Sequence, residues 1–357
     1  MGKRGVFFKG MSNVESETSS AKDAVSGDAV SGYAASKGAI SREIIKEALA
    51  NISPMLSDET QKEAMKIIHY TINNVKMGKV VDDKEVKKLI KNMVEEIIAN
   101  QDAMLNLIKI KSHDEYTFSH SVNVCMIAAL IGVRQQLPFD TLEELAFGAM
   151  LQDLGKIRVS DEILFKLGRL NEIEIEEIRK HSLYSLQILS ENDRIGELPK
   201  KIAYQHHERW HGQGYPQGIS GENIELLSRI TAVADVYDAL TTDRPYRKKF
   251  LPYDAVRLIV SRADDEFFAD TVRAFVESVS IYPLGSLIKL NTEEIGMIIK
   301  INRKAIVRPT IRILFDSSGN IIEDPMNIDL IKDRERYVVC AIDEEEVYQM
   351  HIDQTKE

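Results

Sequence analysis

The chain has 357 residues, 44% hydrophobic and 29% charged, with a formal net charge of -10. That length accommodates one large domain with one or two small ones, and the composition is that of an ordinary globular chain. The acidic balance argues against general nucleic-acid binding or attachment to an anionic membrane, since both need a basic surface. It leaves room for one small anionic ligand held by a few arginines.

Residues 1–38 are rich in Ser, Gly and Ala, with an echo in Ala24-Val25-Ser26-Gly27 and Ala29-Val30-Ser31-Gly32. This composition buries too little apolar surface to offset ordering entropy and predicts a flexible tail. No apolar stretch follows Lys3 and Arg4, so no secretory leader is expected. The most apolar run, Val122 to Val133, falls short of the ~20 residues a bilayer helix needs. Cys125 and Cys340 offer no disulfide framework and suit a reducing compartment. Together these features predict a cytoplasmic protein.

Residues 39–112 carry a helical period. Ser57 is placed to cap a helix with Asp58 and Glu59 in its first turn, Ala64, Ile68, Ile72 and Val75 as its apolar stripe, and Gly78 beyond its end. Asp82 with Glu85 resembles a capping box, followed by the stripe Val86, Ile90, Met93 and Ile97. Two readings fit: a regulatory or dimer-forming module, or an extension packed on the main core. Residues 113–283 stay helical, with loops at Leu154–Lys166, Trp210–Asn223 and Thr242–Pro252. Residues 284–357 change to short β-rich runs, Ser286–Leu290, Ile295–Ile301, Ala305–Phe315 and Tyr337–Ile342, with Asp316-Ser317-Ser318-Gly319 as a turn joining two of them. The predicted fold is mainly α: a helical bundle with a helical N-terminal module and a small β-rich C-terminal region.

Chemistry-bearing residues concentrate in the helical part. His120 opens an apolar helix and His181 follows the charged helix Glu172–Arg179. Each alone has an ordinary structural explanation. His206 and His207 are adjacent, so their side chains diverge by about 100° on a helix. They embrace one cation only near a helix end, which the Gly212-Gln213-Gly214 turn supplies. Asp153, after the apolar run Leu145–Leu151, and Asp235, inside the run Ile230–Val236, are carboxylates whose burial is costly unless they are paired, hydrogen-bonded or metal-bound.

Taken jointly and in order, His120, Asp153, Lys156, His181, His206-His207, Gly212-x-Gly214-Tyr215-Pro216, Asp235 and Arg244-Pro245-Tyr246-Arg247 resemble the HD-GYP family, bacterial phosphodiesterases of cyclic di-GMP. The resemblance covers about residues 113–282 and departs at one key position. The family's paired His-Asp reads Gln152-Asp153 here. It implies an HD-type helical bundle holding two divalent metals, iron or manganese, with Asp153 bridging them. His181, His206 and His207 would complete one shell. His120 and Asp235 would hold the other metal, more loosely because Gln152 replaces its histidine.

The resemblance also implies that Asp153 and Lys156 are catalytic and that Lys156, Arg244, Arg247 and Tyr215 bind substrate. Trp210 and Tyr215 would shape the signature loop, and His211, usually acidic in the family, receives no metal role. Some members hold a third metal through a Glu that is Tyr116 here, with Glu115 a poor substitute, so at most two metals are expected. The implied activity is hydrolysis of cyclic di-GMP to pGpG or GMP, impaired by Gln152. The alternative is a catalytically inactive nucleotide receptor or protein-interaction module. Candidate partners are cyclic di-GMP, a signalling protein and a second copy of the chain.

Overall fold

The helices begin where their caps predict. In the computed structural model, residues 55–100, 116–166, 168–242, 249–279, 282, 284–302, 305, 307–343 and 346–347 are described. The expected N-terminal tail, Glu115, Arg244 and Arg247 lie outside them. Ser57 caps α1 (Asp58–Lys76) by accepting from Thr60 N, and Gly78 sits beyond its end at φ 75°. Asp82 caps α2 (Asp83–Ala99) through Lys84 N. The reciprocal bond with Glu85 that defines a capping box is absent there. A true capping box starts a later helix, at Asn171 and Glu174.

The helical body continues with α3 (Tyr116–Arg134), α4 (Phe139–Leu151), the short α5 (Asp161–Leu164), α6 (Glu172–Arg179), α7 (His181–Ser190), α8 (Glu197–Gln205), α9 (Leu226–Thr241), α10 (Pro252–Val260) and α11 (Ala269–Val279). The loop expected after Leu154 is a 3-10 turn, Leu154–Arg158, followed by α5.

Helix α3 is the axis of this body. Val122, Cys125, Met126, Ala129 and Leu130 join α1, α2 and α7 in one core. Val124, Ile127, Ala128 and Ile131 join α9, α10 and α11 in another. A helix buried all round reads as an unbroken apolar run without a polar face, which is why Val122–Val133 is the most apolar stretch of the chain. The first two helices therefore share a core with the rest of the bundle. Buried Asp83, at the start of α2, accepts from Asn192 Nδ2 at 3.0 Å just beyond α7.

Among the described residues five antiparallel strands follow: β1 (Leu287–Leu290), β2 (Ile295–Lys300), β3 (Thr310–Phe315), β4 (Asn327–Asp329) and β5 (Val338–Ile342), in the order β4-β3-β2-β1-β5. Both faces of the sheet are packed. Leu287, Met297 and Phe315 lie on one side, and Ile288, Ile298, Ile311 and Ile313 on the other, where Tyr253 and Tyr282 also pack. Strand β4 was not expected from the sequence. Its three residues, Asn-Ile-Asp, are too short and polar to show a two-residue period. The turn at Asp316–Gly319 accordingly leads from β3 toward β4.

Candidate metal centre

Asp153 lies where α4 gives way to the 3-10 turn. That turn is bolted to α7. Ser185 Oγ donates to Gln152 O and accepts from Gly155 N, both at 2.7 Å. Gly155 permits this approach, because a Cβ there would fall 2.1 Å from His181 O and 2.4 Å from Ser185 N. The close contact brings His181, the first residue of α7, over Asp153. His181 is 1% exposed, although the helix that precedes it in sequence is charged.

His206 and His207 follow the last residue of α8, Gln205. The helix end lets both rings face the same carboxylate, with their centroids 4.0 Å apart. One donor atom each from Asp153, His181, His206 and His207 lie within 4.8 Å of one another.

The hydrogen positions in this group follow from the partners. His181 Nδ1 faces Ile178 O at 2.6 Å, and His206 Nδ1 faces Ala203 O at 3.0 Å. A carbonyl can only accept, so each Nδ1 carries the proton. Burial drives the His181 pKa down to about 4, against the opposing pull of Asp153, and lowers His206 and His207 as well. The imidazoles are thus neutral, and the Nε2 atoms of His181 and His206, 3.4 Å apart, face each other as lone pairs. His181 Nε2 is also 3.2 Å from Asp153 Oδ1, an atom that is buried and accepts no hydrogen bond. Converging lone pairs around an unsatisfied buried oxygen describe a cation site. The residues present fit a divalent metal of the kind that imidazole and carboxylate hold together.

The other oxygen of Asp153 faces a second set. Asp153 Oδ2 is 3.3 Å from His120 Nε2 and 2.5 Å from Lys156 Nζ. His120 Nε2 is in turn 3.1 Å from Asp235 Oδ1. His120 lies one turn inside α3 and Asp235 in the middle of α9, and both are buried. Burial alone would raise the Asp153 pKa. The Lys156 ammonium and the hydrogen bond from His120 overcome it and hold the carboxyl well below the usual range. Asp235 is likewise held low, mainly by His120 against its burial. Ionised Asp153 and Asp235 beside the neutral imidazoles of His181, His206 and His207 suit metal binding.

Gln152 completes the neighbourhood. It is fully buried, and neither its amide oxygen nor its amide nitrogen has a hydrogen-bond partner. A buried primary amide left unsatisfied is unusual and costs about 1–3 kcal/mol per polar group.

Tyr215 stacks on His207 with centroids 4.6 Å apart, and the Arg179 guanidinium lies 5.2 Å from the Tyr215 ring centroid. The signature loop that carries Tyr215 is held by Glu208, whose Oε1 accepts from Gln217 N at 2.7 Å and Gly218 N at 3.2 Å. Gly214 must be glycine, because a Cβ would meet Glu208 Cα and Arg209 N at 2.4 Å. Trp210 pins the loop's base, packed on Phe268 at 4.7 Å with Arg229 over its ring. His211 turns away toward Asp265, 3.9 Å distant. Sequence reasoning missed Glu208 and Ser185. Neither type signals a loop clamp or a helix-to-turn bolt without the fold.

The structure thus brings His120, Asp153, Lys156, His181, His206, His207 and Asp235 together, with Tyr215 at the edge. Residues 86–271 match the HD domain family, and residues 287–350 match a KOW domain associated with HD domains. The chain belongs to the HD-domain family. Among its relatives is the cyclic di-GMP phosphodiesterase PA4108 of Pseudomonas aeruginosa, 32% identical over 72% of this chain and 62% of that protein. A cyclic di-GMP phosphodiesterase of Thermotoga maritima is 34% identical over 49% of this chain and 47% of that protein. The 3'3'-cGAMP-specific phosphodiesterase 1 of Vibrio cholerae is 39% identical over 43% of this chain and 35% of that protein. The chain therefore spans between about a third and two thirds of the length of these relatives. The solved structure of Bd1817, an HDG"Y"P protein from Bdellovibrio bacteriovorus, shares the fold with a TM-score of 0.51. That similarity holds at 16% identity over 60% of this chain and 69% of that one. Among the described residues no helix is long and apolar enough to cross a membrane.

Proposed function

We propose that the chain hydrolyses cyclic di-GMP in a metal-dependent reaction, acting in bacterial second-messenger signalling. The observation that carries this reading is the Asp153 carboxylate, whose two oxygens face two separate donor sets. Such a bridge suits two divalent ions, iron or manganese by donor type. Bound metals of this kind supply an activated water and charge compensation on the phosphoryl oxygens.

The roles of the chain's own residues follow. Asp153 would serve both metals; His181, His206 and His207 would hold one, and His120 and Asp235 the other. Lys156, whose Nζ lies 2.5 Å from Asp153 Oδ2, would present its ammonium to the substrate phosphate. Tyr215, with one face on His207, offers an aromatic wall to the nucleotide. Arg244 and Arg247, proposed from the signature alone, grip a phosphate through their planar guanidinium groups. Water adds to phosphorus and the P–O3' bond breaks. The proton goes to the departing 3'-oxygen, giving linear pGpG and, by a second round, GMP. Residues 113–283 carry this chemistry, with residues 39–112 and 284–357 as flanking modules.

A second reading, a nucleotide receptor without turnover, is favoured by Gln152. A neutral amide is a weak ligand where the family has imidazole. Anaerobic incubation with cyclic di-GMP and Fe(II) or Mn(II), with products separated by chromatography, decides between them. Linear product from the wild type that disappears in Asp153→Ala supports the enzyme. Stoichiometric binding of unchanged nucleotide replaces it with the receptor.

A further inference from the structure

We infer that Asp238 is a positioning residue for the metal centre: it fixes the tautomer and direction of His120. The inference rests on the proposed role of His120 as a metal ligand. Asp238 lies one helical turn beyond Asp235 on α9 and is fully buried. Its Oδ2 accepts from His120 Nδ1 at 2.6 Å. A carboxylate flanked by donors is an acceptor, so His120 gives its Nδ1 proton to Asp238 and directs Nε2 at Asp153 and Asp235, where a cation would take the place of the Nε2 proton.

Asp238 is itself held. Its Oδ1 accepts from Asn123 Nδ2 at 2.8 Å and from Thr242 Oγ1 at 3.3 Å. Asn123 is on α3, the same helix as His120, and is 1% exposed. This accounts for a polar residue in the most apolar run of the chain. Asn123 fixes the carboxylate that fixes the histidine. The two sides of the site use different anchors, since His181 and His206 are oriented by backbone carbonyls, which no side-chain substitution removes. On the other side, His120 Nδ1 is held by a replaceable carboxylate. Outer partners of ligating histidines act in this way, setting ring orientation and ligand basicity.

Asp238→Asn is the discriminating substitution because it keeps shape and removes one acceptor. The amide must then set its NH2 either against Asn123 Nδ2, also a donor, or against His120 Nδ1. The second arrangement leaves Nδ1 facing a donor, so a neutral imidazole keeps its proton on Nε2 and offers no lone pair there to a cation. Metal-stripped full-length wild type, Asp238→Asn and His120→Ala are titrated with Mn(II) by calorimetry. Long-range 1H–15N spectra of the Zn(II)-loaded proteins, which are diamagnetic, report which His120 nitrogen carries the proton.

The expected result is a roughly 10–100-fold loss of affinity at the weaker Mn(II) site in Asp238→Asn. A shift of the His120 proton from Nδ1 to Nε2 accompanies it, with the tighter site unchanged. A merely structural role would weaken both sites alike and leave the tautomer on Nδ1, which overturns the inference. Weak-site binding lost in His120→Ala but retained in Asp238→Asn also overturns it, leaving the ligand role of His120 intact. Unchanged binding in His120→Ala removes that ligand role and the inference with it. Should Asp238→Asn fail to fold, Asn123→Ala carries the same test with a smaller loss at the same site.

Discussion

The two sides of Asp153 are made of similar residues but are built differently. On one side three histidines come from the start of α7 and the end of α8, two of them locked by backbone carbonyls and all of them neutralised by burial. On the other, His120 and Asp235 come from the interiors of α3 and α9, with a lysine on the shared carboxylate, whose sequence neighbour Gln152 is buried without a hydrogen-bond partner. Helix ends free the backbone to aim a ligand, whereas helix interiors leave orientation to other side chains. The histidine side is therefore expected to hold metal firmly and the His120 side loosely.

The sharpest way to break this comparison is to remove what both sides share. Asp153→Ala should empty both sites, with metal content below one tenth per chain by plasma mass spectrometry, and lower turnover by about 10³-fold or more. Retention of full metal by that variant would remove Asp153 from the centre.

Next in size is the bolt that carries the histidine side. Gly155→Ala places a methyl against His181 O and Ser185 N, both backbone atoms that yield only if α7 moves. We expect a loss of about 3 kcal/mol, read from urea unfolding, and a weakened tight site. An unchanged midpoint would mean that α7 can retreat freely.

Acid then acts on the histidine side of the metal-free protein. His181 titrates at about 4 when folded against 6.5 for an ordinary histidine, because burial disfavours its charge. The unfolded chain takes up the proton first, so stability is full above 6.5 and falls as pH drops toward 4. Between pH 7 and pH 5 the loss from His181 alone is about 2 kcal/mol. Denaturation midpoints that do not fall over this range would show that the buried imidazole is already charged.

The smallest effect concerns the other side. Gln152→His restores an imidazole and should tighten the weaker metal about tenfold, with turnover at low metal rising in step. No change would mean that Gln152 does not approach that metal.

Much of this site was legible in the sequence, and the reasons are specific. Asp153 and Asp235 stand out as acids within apolar runs, and the order of His120, His181 and His206-His207 around the Gly-Tyr-Pro turn is informative jointly though not singly. Asp238 was not legible, since one turn past Asp235 it looks like any helical carboxylate until α3 is laid against α9. His181 reads as a surface residue because its neighbours in sequence are charged, while its neighbours in space come from α4 and α8. In the fold, the caps at Ser57 and Asp82 are local and readable. Strand β4 is defined by its pairing with β3 rather than by its own residues.

The central claim is that one strong and one weak metal site share Asp153 and that turnover needs both. The most direct measurement titrates Mn(II) into metal-stripped protein while following cyclic di-GMP hydrolysis in the same samples. The account predicts a first equivalent bound tightly without turnover, then turnover that rises with the weaker second equivalent. Full turnover at one equivalent, or two sites of equal affinity, would contradict it.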